Sequence, residues 1–381
     1  MKKFALIALM ALLAMGTLVA VAQDAEATAE PVPFSEEEIA ASPYLQSVLS
    51  RKETTYDTTP FKKDGPYRIA LAAQGTSNSW SALFDEHARW YAEELGPDVI
   101  SELLYADAQA SADKQVPQVE DLLAQSPDAL ILVPMGAAAL SAPVERAMAQ
   151  GVPVILCAST VDTDNFVTEV GTNLYASGAY LAQWLVDSVG GAGNVVVMTG
   201  IPGVSTSDVM EAGAKSVFDK NPDVKVLELQ PGMWSTADAK QLMETWLAKY
   251  GDTIDGIWSG GAQMSQGIVS AYLDAGQEIP PIAGGEYGNG FLRLAIENEI
   301  KFAAWQYPNA QAVTCIDTAL QVLRGEPVQR FIDIQDVIPE AQNFDDSKVT
   351  EYFNPEWSDD VFGPILFPAE RLEALGFLVT P

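Results

Sequence analysis

The chain has 381 residues, 48% of them hydrophobic, and carries a formal net charge of -31, from 21 Lys plus Arg against 52 Asp plus Glu. This length is long for a single hydrophobic core and indicates about two domains. The acidity would repel anionic polymers and anionic bilayers, which argues against nucleic acid as a partner. The single histidine, His87, argues against histidine-based catalytic triads and histidine metal sites.

The N-terminus has the pattern of a cleavable secretory signal over residues 1–22. Lys2 and Lys3 precede a long apolar run, and Ala20 and Ala22 supply small residues before Gln23. We therefore expect an exported protein in the periplasm or extracytoplasmic space, whose mature chain begins at Gln23 or shortly after. No cysteine stands directly after the signal, so no site for a lipid anchor is expected. The alternative is an uncleaved membrane anchor, because the apolar run is almost long enough to span a bilayer.

Residues 23–65 change character, with Pro, Thr, Glu and Lys mixed and little sustained periodicity. We interpret them as an N-terminal arm. Ser35 with Glu38 has the spacing of a capping box and predicts a short helix that lies on the folded body.

From residue 68 onward, apolar strands alternate with amphipathic helices. In the first unit, Ile69, Leu71 and Ala73 form a strand, a polar loop follows, and Trp80, Leu83 and Phe84 begin a helix at helical spacing. Later strands are predicted in two series, at 99–108, 128–134 and 152–159, and at 194–200, 224–230, 255–261, 280–286 and 301–306. This alternation predicts an α/β fold with two similar lobes, each a parallel sheet flanked by helices.

Amide, hydroxyl and aromatic side chains recur where these strands end. Open parallel sheets gather ligands at the carboxyl ends of their strands, and flat rings beside hydrogen-bonding groups suit a small polar ligand with apolar faces. The candidate ligand-binding residues are Gln74, Asn78, Trp80, Ser159, Trp234, Trp258, Glu286 and Gln306. For any single tryptophan, core packing is the competing interpretation.

Other features predict no cofactor, metal or catalytic centre. The glycine-rich stretch 190–194 is interpreted as a helix end, because no Gly-Lys-Ser/Thr follows it. Asp162 and Asp164 lack a complete oxygen-rich calcium loop and indicate a solvated turn. Cys157 ends a strand and Cys315 lies in a helical pattern. Buried free thiols are favoured over a disulfide, although export would permit one.

An ordered series of motifs resembles the ribose-type (type I) periplasmic binding proteins that serve sugar ABC importers. It comprises the first strand with its Asn-Ser-Trp loop, YADAQASADKQVPQVEDLLAQSPDALILVP at 105–134, GVPVIL at 151–156 and GIPGVS at 200–205. The resemblance covers about residues 66–332. It implies two Rossmann-like lobes joined by a three-crossing hinge, with crossings near Gly171, Gln306 and Phe331. The implied N-terminal lobe comprises 66–171 plus 306–332, and the C-terminal lobe and tail comprise 172–305 plus 333–381.

The resemblance also assigns roles to individual residues. It implies that Asn78 and Gln306 are hydrogen-bonding amides, that Trp80 and Trp234 are aromatic walls, and that Glu286 is the ligand-binding carboxylate. The chain departs from the family pattern at three places. Ala158 and Ser159 replace an Asp-Arg pair, Met210 replaces an arginine, and Gly261 replaces an asparagine. The bidentate guanidinium contacts to hydroxyls are therefore absent, which argues against ribose itself as the ligand.

The function that the resemblance implies is capture of a small neutral ligand, with a sugar favoured, and its delivery by a monomer to a membrane permease. The alternatives are a binder of a small cationic or other non-sugar solute, a chemoreceptor-linked sensor, and a secreted hydrolase. A hydrolase would need an acid-base pair, for which Asp107 with Glu286 is the candidate. A DNA-binding regulator of similar fold is disfavoured because a signal peptide stands where its DNA-binding helices would be.

Overall fold

The computed structural model describes residues 34–76, 78–338 and 343–379. The predicted signal and the first part of the arm lie outside these residues. The helices are α1 Glu36–Ala41, α2 Pro43–Lys52, α3 Ser79–Leu95, α4 Ala112–Ala124, α5 Ala137–Ala149, α6 Leu174–Ser188, α7 Ser205–Phe218, α8 Thr236–Tyr250, α9 Ala262–Ala275, α10 Asn289–Glu297, α11 Gln311–Arg324, α12 Ile334–Val337, α13 Val349–Tyr352 and α14 Ala369–Ala374. In the described part of the chain, no helix has the length and apolar character needed to cross a membrane.

Within the described residues, the strands form two six-stranded sheets and one short antiparallel pair, β1 with β12. The strands are β1 Thr55–Tyr56, β2 Tyr67–Ala73, β3 Ile100–Asp107, β4 Ala129–Leu132, β5 Val154–Cys157, β6 Thr168–Gly171, β7 Gly193–Thr199, β8 Val224–Pro231, β9 Gly256–Ser259, β10 Ile282–Gly285, β11 Phe302–Ala304, β12 Val328–Gln329, β13 Phe331–Asp333 and β14 Phe344–Asp345. The first sheet has the order β13-β6-β5-β4-β2-β3, and the second has the order β14-β11-β10-β9-β7-β8.

All neighbouring strands of the first sheet are parallel. In the second sheet only the edge strand β14 runs antiparallel, beside β11. The central strands are apolar along their whole length because helices cover both faces. For example, Ile69 and Leu71 pack under α3 and α11, whereas Ala70 and Leu130 face α4 and α5. The predicted α/β fold with two helix-flanked lobes is confirmed.

The chain passes between the two sheets three times. After β6, helix α6 packs on β9 and β10 of the second sheet, and after β11, helix α11 packs on β4 and β5 of the first. The sequence predicts the third passage near Phe331, and the structure places it later. Ile334 and Ile338 still pack in the core of the first lobe, and the second sheet is rejoined only at Phe344.

The N-terminal arm lies against both lobes. The predicted capping box is present, with Ser35 Oγ accepting from the Glu38 N–H at 3.2 Å and Glu38 Oε2 accepting from the Ser35 N–H at 2.9 Å. On the first lobe, Arg51 pairs with the buried Glu169 at 2.6 Å. On the second, the ring of Phe34 lies edge-on to Tyr175 at 5.4 Å.

Cys157 and Cys315 form a disulfide, so the prediction of buried free thiols is wrong. The two residues are 158 positions apart in sequence, and only the packing of α11 on β5 brings their Cα atoms to 6.4 Å. The periodicity of apolar residues in the sequence identifies a strand and a helix, but it does not show which strand the helix covers. The bridge fastens the end of β5, immediately before Ala158, to the helix that follows the second passage.

Candidate ligand-binding site

A cavity lies between the lobes, at the carboxyl ends of the strands of both sheets. Its walls include six of the eight candidate residues, namely Gln74, Asn78, Trp80, Ser159, Trp234 and Glu286. Met210, which stands where the resemblance expects an arginine, also lines the cavity. The candidates did not include other lining residues with distinctive side chains, namely Leu174, Ser177, Leu181, Thr206, Gln263, Trp305, Tyr307 and Phe362. The two lobes therefore contribute together to one site.

The start of α3 forms a hydrogen-bonded corner of the cavity. Asn78 caps the helix, because its Oδ1 accepts from the backbone N–H of Ser81 at 2.9 Å and from the Ser81 hydroxyl at 3.0 Å. The amide nitrogen of Gln74 donates to Ser81 Oγ at 2.8 Å. These bonds fix both amides and leave the Asn78 NH₂ group as a donor for a ligand.

Trp80 is held rigidly by its neighbours. Its indole stacks on Tyr307, with ring centroids 5.5 Å apart and planes inclined by 18°, and its Nε1–H donates to the Tyr307 carbonyl at 2.6 Å. The Tyr307 hydroxyl donates to the carbonyl of Ala158. Tyr307 directly follows the candidate Gln306 in the second passage, and this adjacency was the available sequence signal for it.

Trp234 lies opposite, in a loop of the second lobe with unusual backbone geometry. Met233 and Trp234 have φ angles of 60° and 50°, in the left-handed region that non-glycine residues rarely adopt. Such conformations concentrate at ligand sites because the surrounding structure must hold them. Gly200 makes room for the indole, since a Cβ there would lie 2.2 Å from Trp234 Cε2. The indole Nε1–H donates to the Gly260 carbonyl at 3.1 Å.

Glu286 follows β10 and is the one charged side chain among the lining residues, within the part of the chain that the structure describes. Its Oε2 accepts from the Ala262 N–H, at the start of α9, at 3.3 Å. A helix N-terminus favours a carboxylate there. Burial outweighs this bond and raises the pKa of Glu286 to about 7. The described lining contains no lysine or arginine, so a ligand that donates hydrogen bonds would stabilise the ionised form of Glu286.

A hydroxyl pair joins the lobes across the cavity. Ser159, on the first lobe, lies 2.7 Å from Thr206 of α7 between their hydroxyl oxygens, and the Thr206 hydroxyl also lies 3.0 Å from the Ala158 carbonyl. The backbone N–H of Thr160 donates to Ser205 Oγ at 2.8 Å. The lobes are thus in direct contact at this point. Thr206 comes directly after the GIPGVS motif, which marked its position.

Two candidates do not line the cavity. Trp258 is 1% exposed, packs in the second-lobe core and donates from Nε1 to the Gly178 carbonyl at 3.3 Å. Its predicted ligand contact is corrected, because in β9 its ring faces α6 and the cavity is lined instead by Ser259 and Gly260. The side-chain amide of Gln306 is fully buried and has no hydrogen-bond partner among the described residues. Its role as a hinge-side ligand contact stays a prediction.

The acid-base pair that a hydrolase would need is not assembled. Asp107 lies outside the cavity lining and is engaged locally, accepting from the Gln109 N–H at 2.7 Å and from the Thr76 hydroxyl at 3.2 Å. Glu286 is therefore without a second carboxylate in the described part of the cavity.

A family model described as "Periplasmic binding protein domain" matches residues 69–327. Among curated proteins, the chain is 32% identical over 183 residues to a xylitol-binding protein of Mycolicibacterium smegmatis, covering 48% of this chain and 52% of that one, about half its length. It is 26% identical to a ribose import binding protein of Bacillus subtilis and 27% identical to a D-apiose import binding protein of Paraburkholderia graminis, covering 70% of this chain and 85% of each relative.

Solved structures share the fold. A solute-binding protein from Bacillus halodurans with bound myo-inositol superposes with a TM-score of 0.69 at 21% identity, covering 76% of this chain and 98% of that one. An arabinose-transporter binding protein from Shewanella sp. ANA-3 gives 0.67 at 23% identity, covering 75% and 94%. Because the family model spans more than half of the sequence, the chain belongs to the periplasmic binding protein family.

Proposed function

We propose that this protein captures a small neutral sugar or polyol between its two lobes and delivers it to the permease of an ABC transporter. One observation carries the proposal. The cavity joins the ligand-binding edges of both sheets and combines indole faces with amides and hydroxyls, with no lysine or arginine among its described lining residues. Each lobe supplies part of the site, and closure of the two lobes around one ligand holds that ligand.

The chemistry of the walls suits a sugar. The C–H face of a sugar ring can stack on Trp234, while its hydroxyls bond the Asn78 amide and the Glu286 carboxylate. An anionic ligand such as a sugar acid or phosphate would meet Glu286 without a neutralising cation, which disfavours it. The relatives whose names refer to xylitol, ribose and apiose support the same class of ligand. The proposal includes export by the signal at residues 1–22.

A small cationic ligand is the second candidate, because indole faces lie in the same cavity as a buried carboxylate. Each such face attracts an ammonium group by roughly 0.5 to 2 kcal/mol. Calorimetry on Glu286→Gln separates the two ligand classes. A neutral sugar should lose about one hydrogen bond, roughly 1 to 3 kcal/mol. A cation should lose more and show a clear salt dependence.

Mass spectrometry of the ligand released from protein purified without refolding tests the proposal directly. We expect a neutral carbohydrate or polyol, and calorimetry with that compound should give binding at one site per chain. Small-angle scattering should show compaction when the ligand is added to stripped protein. Recovery of a sugar phosphate or sugar acid that rebinds tightly would overturn the assignment.

A further inference from the structure

One wall of the cavity, which we call the apolar wall, consists of Leu174, Leu181, Met210 and Trp305. All four residues come from the second lobe and belong to one packed cluster. Leu174 and Leu181 are seven residues apart on α6 and thus lie on one face of that helix. Exposed fractions of 1%, 2%, 9% and 6%, in that order, show that the wall is closed to bulk solvent.

Close packing of α6 on α7 fixes this wall. A Cβ at Gly178 would lie 1.8 Å from the Met210 carbonyl oxygen, and a Cβ at Gly213 would lie 2.1 Å from the Tyr175 carbonyl oxygen. The backbones of the two helices are therefore in contact. Neither helix can shift to bring another side chain to the position where Met210 lines the cavity. The sequence places methionine where the ribose-type pattern has an arginine.

The wall offers a ligand few hydrogen bonds. Ser177, between the two leucines, donates its proton to the Leu174 carbonyl at 2.7 Å. The indole Nε1 of Trp305 is a buried donor with no partner in the described chain. It can bind an acceptor such as a ring oxygen, but it cannot accept from a hydroxyl. The acceptors of the cavity, including Glu286, lie outside the apolar wall.

We infer that the ligand carries a methyl group in place of a terminal hydroxymethyl group, and that this methyl lies against the apolar wall. The inference rests on the proposed function and specifies its ligand as a deoxy sugar. A hydroxymethyl group held there could accept from the Trp305 indole, but its hydroxyl proton would meet no strong acceptor on the four side chains of the wall, and leaving it unpaired corresponds to a tenfold or greater loss of affinity. In a 6-deoxypyranose the methyl is adjacent to the ring oxygen, which matches the donor-only indole of Trp305.

Calorimetry with sets of sugars that differ only at C5 tests this inference. D-arabinose, L-fucose and L-galactose share one ring configuration and carry hydrogen, methyl and hydroxymethyl at that carbon, and L-lyxose, L-rhamnose and L-mannose form a second such set. In a set that binds, the methyl sugar should bind at least about tenfold tighter than the hydroxymethyl sugar. Equal or tighter binding of the hydroxymethyl sugar overturns the inference and leaves sugar binding intact.

A variant adds an internal control. Met210→Gln gives the wall a polar partner of similar length and should reduce the methyl preference at least severalfold. Met148→Gln makes the same change in the first lobe, outside the cavity, and should leave it unchanged. An unchanged preference in a folded Met210→Gln protein contradicts the role of the wall. If no sugar of either set binds, and the ligand released from the purified protein is not a carbohydrate, the proposed function fails together with this inference.

Discussion

Replacing Arg371 with glutamine should accelerate ligand release, because Arg371 joins the lobes from the C-terminal segment, residues 343–379. This segment is built into the second lobe. Its strand β14 extends the second sheet, and Asp359 pairs with Arg293 of α10 at 2.8 Å. Arg371, however, contacts α3 of the first lobe, bonding Glu86 and lying 2.7 Å from Glu93. Separation of the lobes should break these contacts.

The magnitude follows from the exposure of the three side chains. A hydrogen bond to a charged group contributes about 1.5 to 3 kcal/mol when well buried. The Glu86 side chain is 10% exposed, but Arg371 is 26% and Glu93 is 65% exposed, which moves the value toward the lower end. We expect a loss of about 1 to 2 kcal/mol from the closed state, which corresponds to roughly 5- to 30-fold weaker ligand binding.

Stopped-flow release of a bound sugar measures the effect, with calorimetry for the equilibrium constant. The matched control is Arg293→Gln, which removes a guanidinium–carboxylate pair inside the second lobe and should leave the release rate within about twofold. The Arg371 effect should shrink at high salt, because part of it is exposed ion pairing. Equal release rates for wild type and Arg371→Gln would refute a closed-state role for this contact.

Three further predictions concern the disulfide and two buried titratable groups. Replacing both Cys157 and Cys315 with alanine should lower the free energy of unfolding by about 2 to 5 kcal/mol relative to oxidised wild type, measured by urea titration, and reduction of wild type should cause a similar loss; midpoints unchanged by both treatments would show that the thiols are not paired. Burial raises the pKa of Glu286 from 4.5 to about 7, so the stability that the protonated side chain contributes is present below pH 4.5 and is lost as pH rises through 7. Without ligand, the free energy of unfolding of wild type should fall by on the order of 3 kcal/mol relative to that of Glu286→Gln across this pH window. A difference between the two proteins that does not change with pH would contradict a buried carboxylate. Burial lowers the pKa of His87 from 6.5 to about 4, and its Nε2 accepts from the Leu366 N–H at 3.1 Å. Acidification from pH 6.5 to 4 should therefore lower the melting temperature of wild type more than that of His87→Gln. An equal decrease in both proteins would show that protonation of His87 does not cause the acid destabilisation.

The repeating units of this fold could be predicted from the sequence because each has its own periodic signal. The strands at 128–134 and 255–261 are short apolar runs between amphipathic helices, and the structure has β4 and β9 there. The same signal fails for individual side chains. Trp234 and Trp258 both end predicted strand units, yet one lines the cavity and the other is core. A short apolar run that is buried on both faces does not show which face meets the ligand.

Tertiary contacts determine the remaining parts of the site, and no local pattern encodes them. The C-terminal segment lies beyond the matched residues 69–327 and is held in part by the buried side chain of Asn289, whose amide nitrogen donates to the carbonyls of Asn354 and Trp357 at 3.0 and 2.9 Å. That attachment brings Phe362 to the cavity, and the Phe362 carbonyl accepts from Asn309 in the second passage at 2.8 Å. A ligand is therefore enclosed by three parts of the chain. Comparison over the matched domain alone would omit the part that contributes both a wall of the site and a contact between the lobes.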